Sequence, residues 1–468
     1  MATSFVPARS LGRSWSRSSS KSRMPSRDTL VVLASAALGG GIVLGMAFDI
    51  GPLVTLAAFA AIAASLVSPG VGLAVLAFMA PLKPPASVPA PGFDAAMVGG
   101  ILLGCIYRLP IDRPRLRVSL PAILLVGFIL FVTISQTPDM LTGWAGTVGH
   151  LVGFQYIQLL TGFGAAIAAV YVLSNRSPYP VLVMGLSGAG VAALIAVVMF
   201  RASYGPFINL AVASTDGSRA LGPFGNPNYL GVFMAIAMSA ALGLAVGARS
   251  RRARAALVAT AVLLGAAMAV SLSREALIAA AAGVLILVWW RSRRLAIVAI
   301  LVGVPAALLI YPAFVEWRLI SETGSASAAA YAATSLSDSG RLVALAAGPQ
   351  MFLSSPIIGV GFGHYVDMSV LVGGAPYPID AHNWYMTVLA EDGSVGILLW
   401  LGLLAAIVLA LRTRPAAAQA LGFATFAAFA AGCLFLEPPT SFQTAALPAI
   451  FLVAALVGRW APQPEVAA

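Results

Sequence analysis

Apolar residues fill almost the whole chain in long runs, and short polar, charged or Pro/Gly-containing segments separate the runs. A membrane-spanning helix needs about 20 consecutive apolar residues. Only helices and closed barrels satisfy every backbone group in lipid, and runs of this length are too long for barrel strands. The pattern therefore predicts an all-α, polytopic bundle of membrane helices.

The breaks between runs predict about fourteen spans, of which the third and fourth are short enough to be re-entrant or interfacial, so twelve is the alternative count. The predicted spans are 29–48, 52–69, 70–82, 93–107, 118–137, 148–173, 180–200, 228–248, 255–272, 275–290, 295–313, 383–411, 416–436 and 442–458.

Composition excludes an ordinary soluble protein, because 60% of the 468 residues are hydrophobic and only 9% are charged, against about 25% in soluble domains. Cys105 and Cys433 both lie inside apolar runs, which argues against a disulfide framework. Three scattered histidines predict no histidine metal cluster. We therefore expect neither a bound metal nor a cofactor.

The basic residues explain the formal net charge of +11. With the N-terminus in the cytoplasm, most of them fall on the cytoplasmic side, as the positive-inside rule requires, so nucleic acid is not an expected partner. This predicts a multi-pass membrane protein with both termini cytoplasmic. Six basic residues remain on the external side: Lys83, Arg201, Arg219, Arg274, Arg318 and Arg341.

Candidate chemistry lies at this external face. Arg219 precedes the eighth span, Arg274 occupies a helical turn, Arg341 lies in the largest polar segment (314–381), and His382 stands where that segment re-enters the membrane. An arginine near the bilayer is costly and usually has an anionic partner. The structural alternatives are a pair of Arg219 with Asp216, and a pair of Arg274 with Glu275 or Glu391.

Three further local patterns predict turns and a broken helix. Gly225–Asn228 is typical of a turn that starts a helix, and GVGFG at 359–363 of a tight external turn. Gly393 and Gly396 indicate a break after Glu391 and Asp392. A short helix is expected to begin near Gly340, capped by residues 337–339, and Pro349 should break or kink it.

Four stretches resemble the bacterial O-antigen ligase and polymerase superfamily: RALGPFGNPNYLG (219–231), SLSREALIAAAAG (271–283), GRLVALAAGPQMFLSSPIIGVGFGHY (340–365) and HNWYMTVLAEDGSVGILLW (382–400). Pro349 departs from the family's loop helix. The resemblance divides the chain into a basic cytoplasmic tail (1–28), N-terminal membrane helices (29–200), a ligase-like core (201–411) and C-terminal helices (412–468). It also implies a GT-C-like architecture.

The resemblance implies a glycosyltransferase that takes a glycan from a polyprenyl-diphosphate carrier and transfers it, outside the inner membrane, to a glycan or lipid A-core-type acceptor. External arginines would handle the diphosphate and a loop histidine would serve the acceptor. Carried over, the catalytic residues are Arg219, Arg274 and His382. The substrate-binding residues are Arg341, Asn228, Asn383 and Glu391.

Three alternatives stay open. A polymerase of the same superfamily is less favoured because Leu230 and Phe352 stand where an Arg-x10-Gly motif needs glycine. A membrane lipid or glycan transporter would place ionisable groups near the midplane, where only Glu391 and Asp392 are found. An oligosaccharyltransferase-like enzyme would use an acid in its first external loop, as Asp49 could, but it generally needs a metal and further acids.

Overall fold

A computed structural model describes residues 26–82, 92–112, 119–143, 146–174, 176–200, 219–323 and 328–460. The described residues form seventeen α-helices and one 3₁₀ turn, with no β-strand. The helices are α1 Arg27–Ala47, α2 Gly51–Val67, α3 Pro69–Met79, α4 Gly92–Asp112, α5 Leu120–Ser135, α6 Thr137–Leu141, α7 Gly146–Leu173, α8 Tyr179–Met199, α9 Pro227–Gly247, α10 Arg251–Val270, α11 Arg274–Arg291, α12 Arg293–Thr323, α13 Ala328–Ser354, α14 Tyr365–Leu371, α15 Trp384–Leu411, α16 Ala416–Gly432 and α17 Phe442–Val457.

Each of the fourteen predicted spans coincides with one of these helices, which confirms a polytopic helical membrane protein. Eight described helices are long and apolar enough to cross a bilayer, and five shorter apolar helices accompany them. The third predicted span is indeed short, since α3 has 11 residues. The fourth is longer than predicted, because α4 continues through Pro110 to Asp112.

Helix α9 lies at the centre of the bundle and packs against α10, α11 and α16. Small residues allow the close approach, as Gly243 of α9 faces the backbone of Ala420 on α16. Residues 293–316 of helix α12, in contrast, are almost entirely exposed. In a bilayer its apolar surface faces lipid rather than protein.

Backbone contacts show which helix ends share a face of the bundle. The Arg459 amide donates to the Arg176 carbonyl at 3.0 Å, and the Arg414 guanidinium donates to the Gly458 carbonyl, also at 3.0 Å. Arg27 and Gly70 lie beside Arg176. These residues, all expected on the cytoplasmic side, therefore gather at one end, which we call the basic end.

The large segment between α12 and α15 corrects one prediction. A helix was expected to begin near Gly340, but α13 begins at Ala328 and continues through Pro349 to Ser354. The serines and aspartate at 337–339 favour helix starts, yet they lie within the helix. Local capping preference is weak evidence where a longer helix competes with a shorter one.

Candidate functional site

The turn between α10 and α11 organises the first half of the candidate site. Leu272 has a φ of 51°, which is uncommon for a residue with a side chain. Ser273 caps α11, because its hydroxyl oxygen accepts the Ala276 amide at 3.3 Å and its hydroxyl donates to Glu275 Oε2 at 2.9 Å. Glu275 is buried here, at 2% exposure.

Two arginines that are distant in sequence meet at this turn. Arg341 Nη1 on α13 lies 2.6 Å from Glu275 Oε1, so the buried carboxylate has a cationic partner. Arg219 Nε donates to the Ser271 carbonyl at 2.9 Å, and its Nη2 donates to Asn228 Oδ1. Both arginines are thereby held at one corner of the bundle.

The third arginine, Arg274, extends towards α12. Its Nη1 donates to the Tyr311 hydroxyl at 2.9 Å. Glu275, an alternative partner of Arg274 in the sequence analysis, forms its ion pair with Arg341 instead. Asp216, the alternative partner of Arg219, lies outside the described residues.

Asn228 belongs to the turn that starts α9, as the sequence predicts. Asn226 caps this helix, and its side-chain oxygen accepts the Asn228 amide at 2.8 Å. The Asn228 side chain then receives Arg219. The structure therefore shows Asn228 positioning Arg219.

The second half of the site is the start of α15. His382 has a φ of 48°, and its imidazole forms no hydrogen bond with the residues that the structure describes. Asn383 caps α15 by accepting the Met386 amide at 3.0 Å, and its Nδ2 donates to the Leu434 carbonyl at 3.0 Å. Asn383 thus positions the histidine beside the loop between α16 and α17.

That loop contributes an acid that the sequence reasoning missed. Glu437 is 4% exposed, accepts a short hydrogen bond from the Thr387 hydroxyl and shares a hydrogen bond with the Asp380 carboxyl. Burial, and next the negative charge of Asp380, raise the pKa of Glu437 well above its ordinary value.

Tyr229 connects the two halves. It follows Asn228 on α9, and its hydroxyl is hydrogen-bonded to the Thr440 side chain and to the Glu437 backbone. Arg219 therefore reaches the Glu437 loop through two adjacent residues of α9. No spacing rule finds Glu437 or Tyr229, since both lie in apolar surroundings far along the chain from His382.

Glu391, a predicted substrate-binding residue, is buried and bonds the backbone. Its Oε1 accepts the Tyr365 amide at 2.7 Å, while its own carbonyl accepts the Gly361 amide at 2.9 Å. The predicted helix break is present, because Gly393 has a φ of 63° within α15. In this structure Glu391 anchors the 359–365 turn, whose predicted tightness is confirmed by positive φ at all three of its glycines.

A second histidine, His364, stabilises the same turn through contacts with two aspartates. His364 Nε2 lies 3.1 Å from Asp139 Oδ2 of α6, and Nδ1 lies 3.2 Å from Asp367 Oδ2. Although burial opposes it, these two aspartates raise the pKa of His364 above its ordinary value. This clamp, the contacts of His364 with Asp139 and Asp367, joins α6 to the segment between α12 and α15.

Cys105 and Cys433 are both buried, and no disulfide bond joins them in the part of the chain that the structure describes. Among the described residues, no three His, Cys, Asp or Glu side chains gather as a metal site. The expectation of a metal-independent reaction stays a prediction.

Comparison with known proteins supports the resemblance. Residues 259–401 match the family model described as O-Antigen ligase. This segment contains Arg274, Arg341 and His382 and leaves out Arg219 and Asn228. None of the curated proteins compared with the chain matches it. Residues 259–401 are therefore similar to the O-Antigen ligase family, in agreement with the resemblance seen in the sequence.

Proposed function

We propose that this protein is a membrane glycosyltransferase that moves a glycan from a polyprenyl-diphosphate carrier to an acceptor hydroxyl on the extracytoplasmic face. The observation that carries the proposal is the joining of Arg219, Arg341 and Glu275 at the α10–α11 turn, with Arg274 beside them and His382 across the Tyr229 connection. The O-antigen ligase domain supports the same reaction class.

The arginines suit the donor. Departure of the diphosphate from the anomeric carbon increases negative charge on its oxygens, and a guanidinium offers planar, paired N–H donors that match phosphate geometry. Donors fixed before the reaction stabilise developing charge without reorganising. Arg219 is fixed in this way by the Ser271 carbonyl and Asn228.

His382 suits the acceptor. The acceptor hydroxyl oxygen attacks the anomeric carbon, the bond from that carbon to the diphosphate oxygen breaks, and the diphosphate leaves with the electron pair. The hydroxyl proton passes to the His382 imidazole. General-base assistance of this kind contributes about 10²–10⁴-fold to the rate. The hydrocarbon tail of the donor remains against the apolar helices.

Transfer by the purified full-length protein, supplied with lipid-linked oligosaccharide and acceptor, tests the proposal. We expect Arg274→Ala and His382→Ala each to lower transfer at least about 100-fold, while Arg251→Ala, an exposed arginine at the start of α10, keeps wild-type transfer. Undiminished transfer by both site variants overturns the proposed roles. Product size separates a ligase, which adds a finished glycan, from a polymerase, which extends a lipid-linked one.

A further inference from the structure

A large apolar cavity lies between α4, α5, α7, α15 and α17, away from the arginine corner. Its volume is about 1040 Å³, the upper end of the range for small-molecule sites. Along α7 and the residue that follows it, the lining extends from Leu159 to Ser174, a separation of fifteen residues or about 22 Å at helical rise. The cavity therefore follows most of the hydrocarbon thickness of a bilayer, about 30 Å.

The two ends of this cavity differ in chemistry. One end lies near Pro439 and Ala445, in and after the loop that carries Glu437. The other end is the basic end, where Arg414, Arg459 and Trp460 line the opening together with Ser119 and Ser174. An apolar channel that opens between arginines, a tryptophan and hydroxyl groups has the profile of a membrane lipid, with acyl chains inside and a headgroup at the rim.

The charge at the rim indicates an anionic headgroup. Arg414 donates to the Ala455 and Gly458 carbonyls, and no carboxylate of the described residues forms an ion pair with Arg414 or Arg459. Burial lowers the pKa of Arg414, the direction expected for a cation withdrawn from water. Basic pockets between membrane helices on the cytoplasmic side are known sites for acidic lipid headgroups.

We propose that this cavity holds an anionic phospholipid, its acyl chains between α5, α7 and α17 and its phosphate on Arg414 and Arg459. A donor diphosphate positioned at Arg219 and Arg274 leaves these two arginines unused, because Arg414 and Arg459 lie at the opposite end of the bundle. The bound lipid would fill the space between α5 and α17 and so stabilise the helices beneath the Glu437 loop. The site is independent of the proposed transfer reaction.

Native mass spectrometry of the detergent-purified full-length protein, followed by lipid titration, tests the proposal. We expect phosphatidylglycerol to copurify and to rebind more tightly than phosphatidylcholine. Arg459→Gln should weaken phosphatidylglycerol binding about fivefold, the contribution of one basic residue near a membrane surface. Arg251→Gln removes a charge outside the cavity lining and should have no effect.

Two further variants test whether the lipid occupies the cavity itself. Ala449→Trp fills the cavity without touching the arginines and should abolish binding of both phospholipids, whereas Ala256→Trp on the exposed side of α10 should not. This pair also covers the case in which Arg459→Gln fails to fold. Equal binding of the two phospholipids, copurification of a polyprenyl phosphate alone, or binding that survives Ala449→Trp would each overturn the proposal.

Discussion

Glu275 and Arg341 form a close charged pair at the candidate site. Because the Glu275 carboxylate is buried, this pair matters more for the stability of the fold than Arg219 and Arg274 do. The carboxylate is 2% exposed and the arginine side chain 27% exposed. Removing one member of a buried pair leaves the other without compensation, which costs far more than replacing both. Loss of transfer in an Arg341 variant would therefore mix a folding effect with any loss of donor binding.

A double-mutant cycle separates the two effects. We expect Arg341→Leu and Glu275→Leu each to destabilise the protein by about 2–3 kcal/mol, and the double variant to recover most of that loss. Arg274→Ala, which removes a contact with a tyrosine hydroxyl, should cost about 1 kcal/mol. Thermal denaturation in detergent measures all four. Strictly additive losses would mean that the pair is not coupled.

His364 makes its clamp with Asp139 and Asp367 dependent on pH. Its pKa in the folded state is raised by Asp139 and Asp367, so the clamp contributes fully below the unfolded pKa of about 6.5. The contribution is lost as the pH rises through the folded-state value. Because the groups are partly exposed, we expect about 1 kcal/mol.

Thermal midpoints of wild type and His364→Gln, compared at pH 5.5 and pH 8.5, measure this contribution. The difference between the two proteins should be larger at pH 5.5. A difference that is larger at pH 8.5 would show that the histidine acts in its neutral form.

At the scale of elements, the break in helix α15 joins this helix to the segment that follows α13. Gly393 has φ 63° and ψ −159°, a combination that essentially only glycine adopts. A Cβ at this position would collide with the Ile357 carbonyl and the Gly359 amide. The break lets the 355–361 segment pair with the α15 backbone, and Glu391 completes the joint.

Gly393→Ala should therefore destabilise the protein by at least about 2 kcal/mol, through backbone strain and collision. Gly303→Ala in α12 is the matched control, because a Cβ there meets no atom within 4 Å. Alanine favours helix over glycine by up to about 1 kcal/mol, so the control should be neutral or stabilising. Equal midpoints for the two variants would contradict the account of the break.

The local sequence predicted the break in α15 and the 359–363 turn, but not the long-range contacts of the site. Two glycines after two acids indicate a break, and three alternate glycines indicate a tight turn, because both conclusions depend on neighbouring residues. The pair of Glu275 with Arg341 and the contact of Asp380 with Glu437 join residues that no periodicity connects. The start of α13 was mispredicted since good capping residues also occur inside helices.

At the scale of the whole molecule, the apolar pattern predicted a helix at each of the fourteen expected positions, because burial in lipid leaves one backbone solution, the helix. The distribution of basic residues predicts which helix ends lie on the same side of the membrane. The observed backbone contacts group the same helix ends together. Arg176, Arg414 and Arg459 meet at the basic end. The segment that carries Asp380 and His382 lies at the opposite end of the bundle, and Tyr377 of this segment is exposed.

Cysteine labelling tests this division in intact cells. Cys105 and Cys433 are buried, so their background labelling should be low. A membrane-impermeant maleimide should label Tyr377→Cys before permeabilisation and Arg251→Cys only afterwards. The reverse order would place the arginine corner on the cytoplasmic side and exclude an extracytoplasmic reaction.

Donor binding, measured apart from transfer, directly tests whether the arginines bind the donor diphosphate while His382 serves the acceptor. Purified wild-type protein, Arg274→Ala and His382→Ala are titrated with a polyprenyl-diphosphate glycan in the absence of acceptor. We expect Arg274→Ala to bind the donor at least about tenfold more weakly than wild type does. His382→Ala should bind it like wild type and yet fail to transfer the glycan. Wild-type donor affinity in Arg274→Ala, or lost affinity in His382→Ala, would contradict the division of labour between the arginines and the histidine.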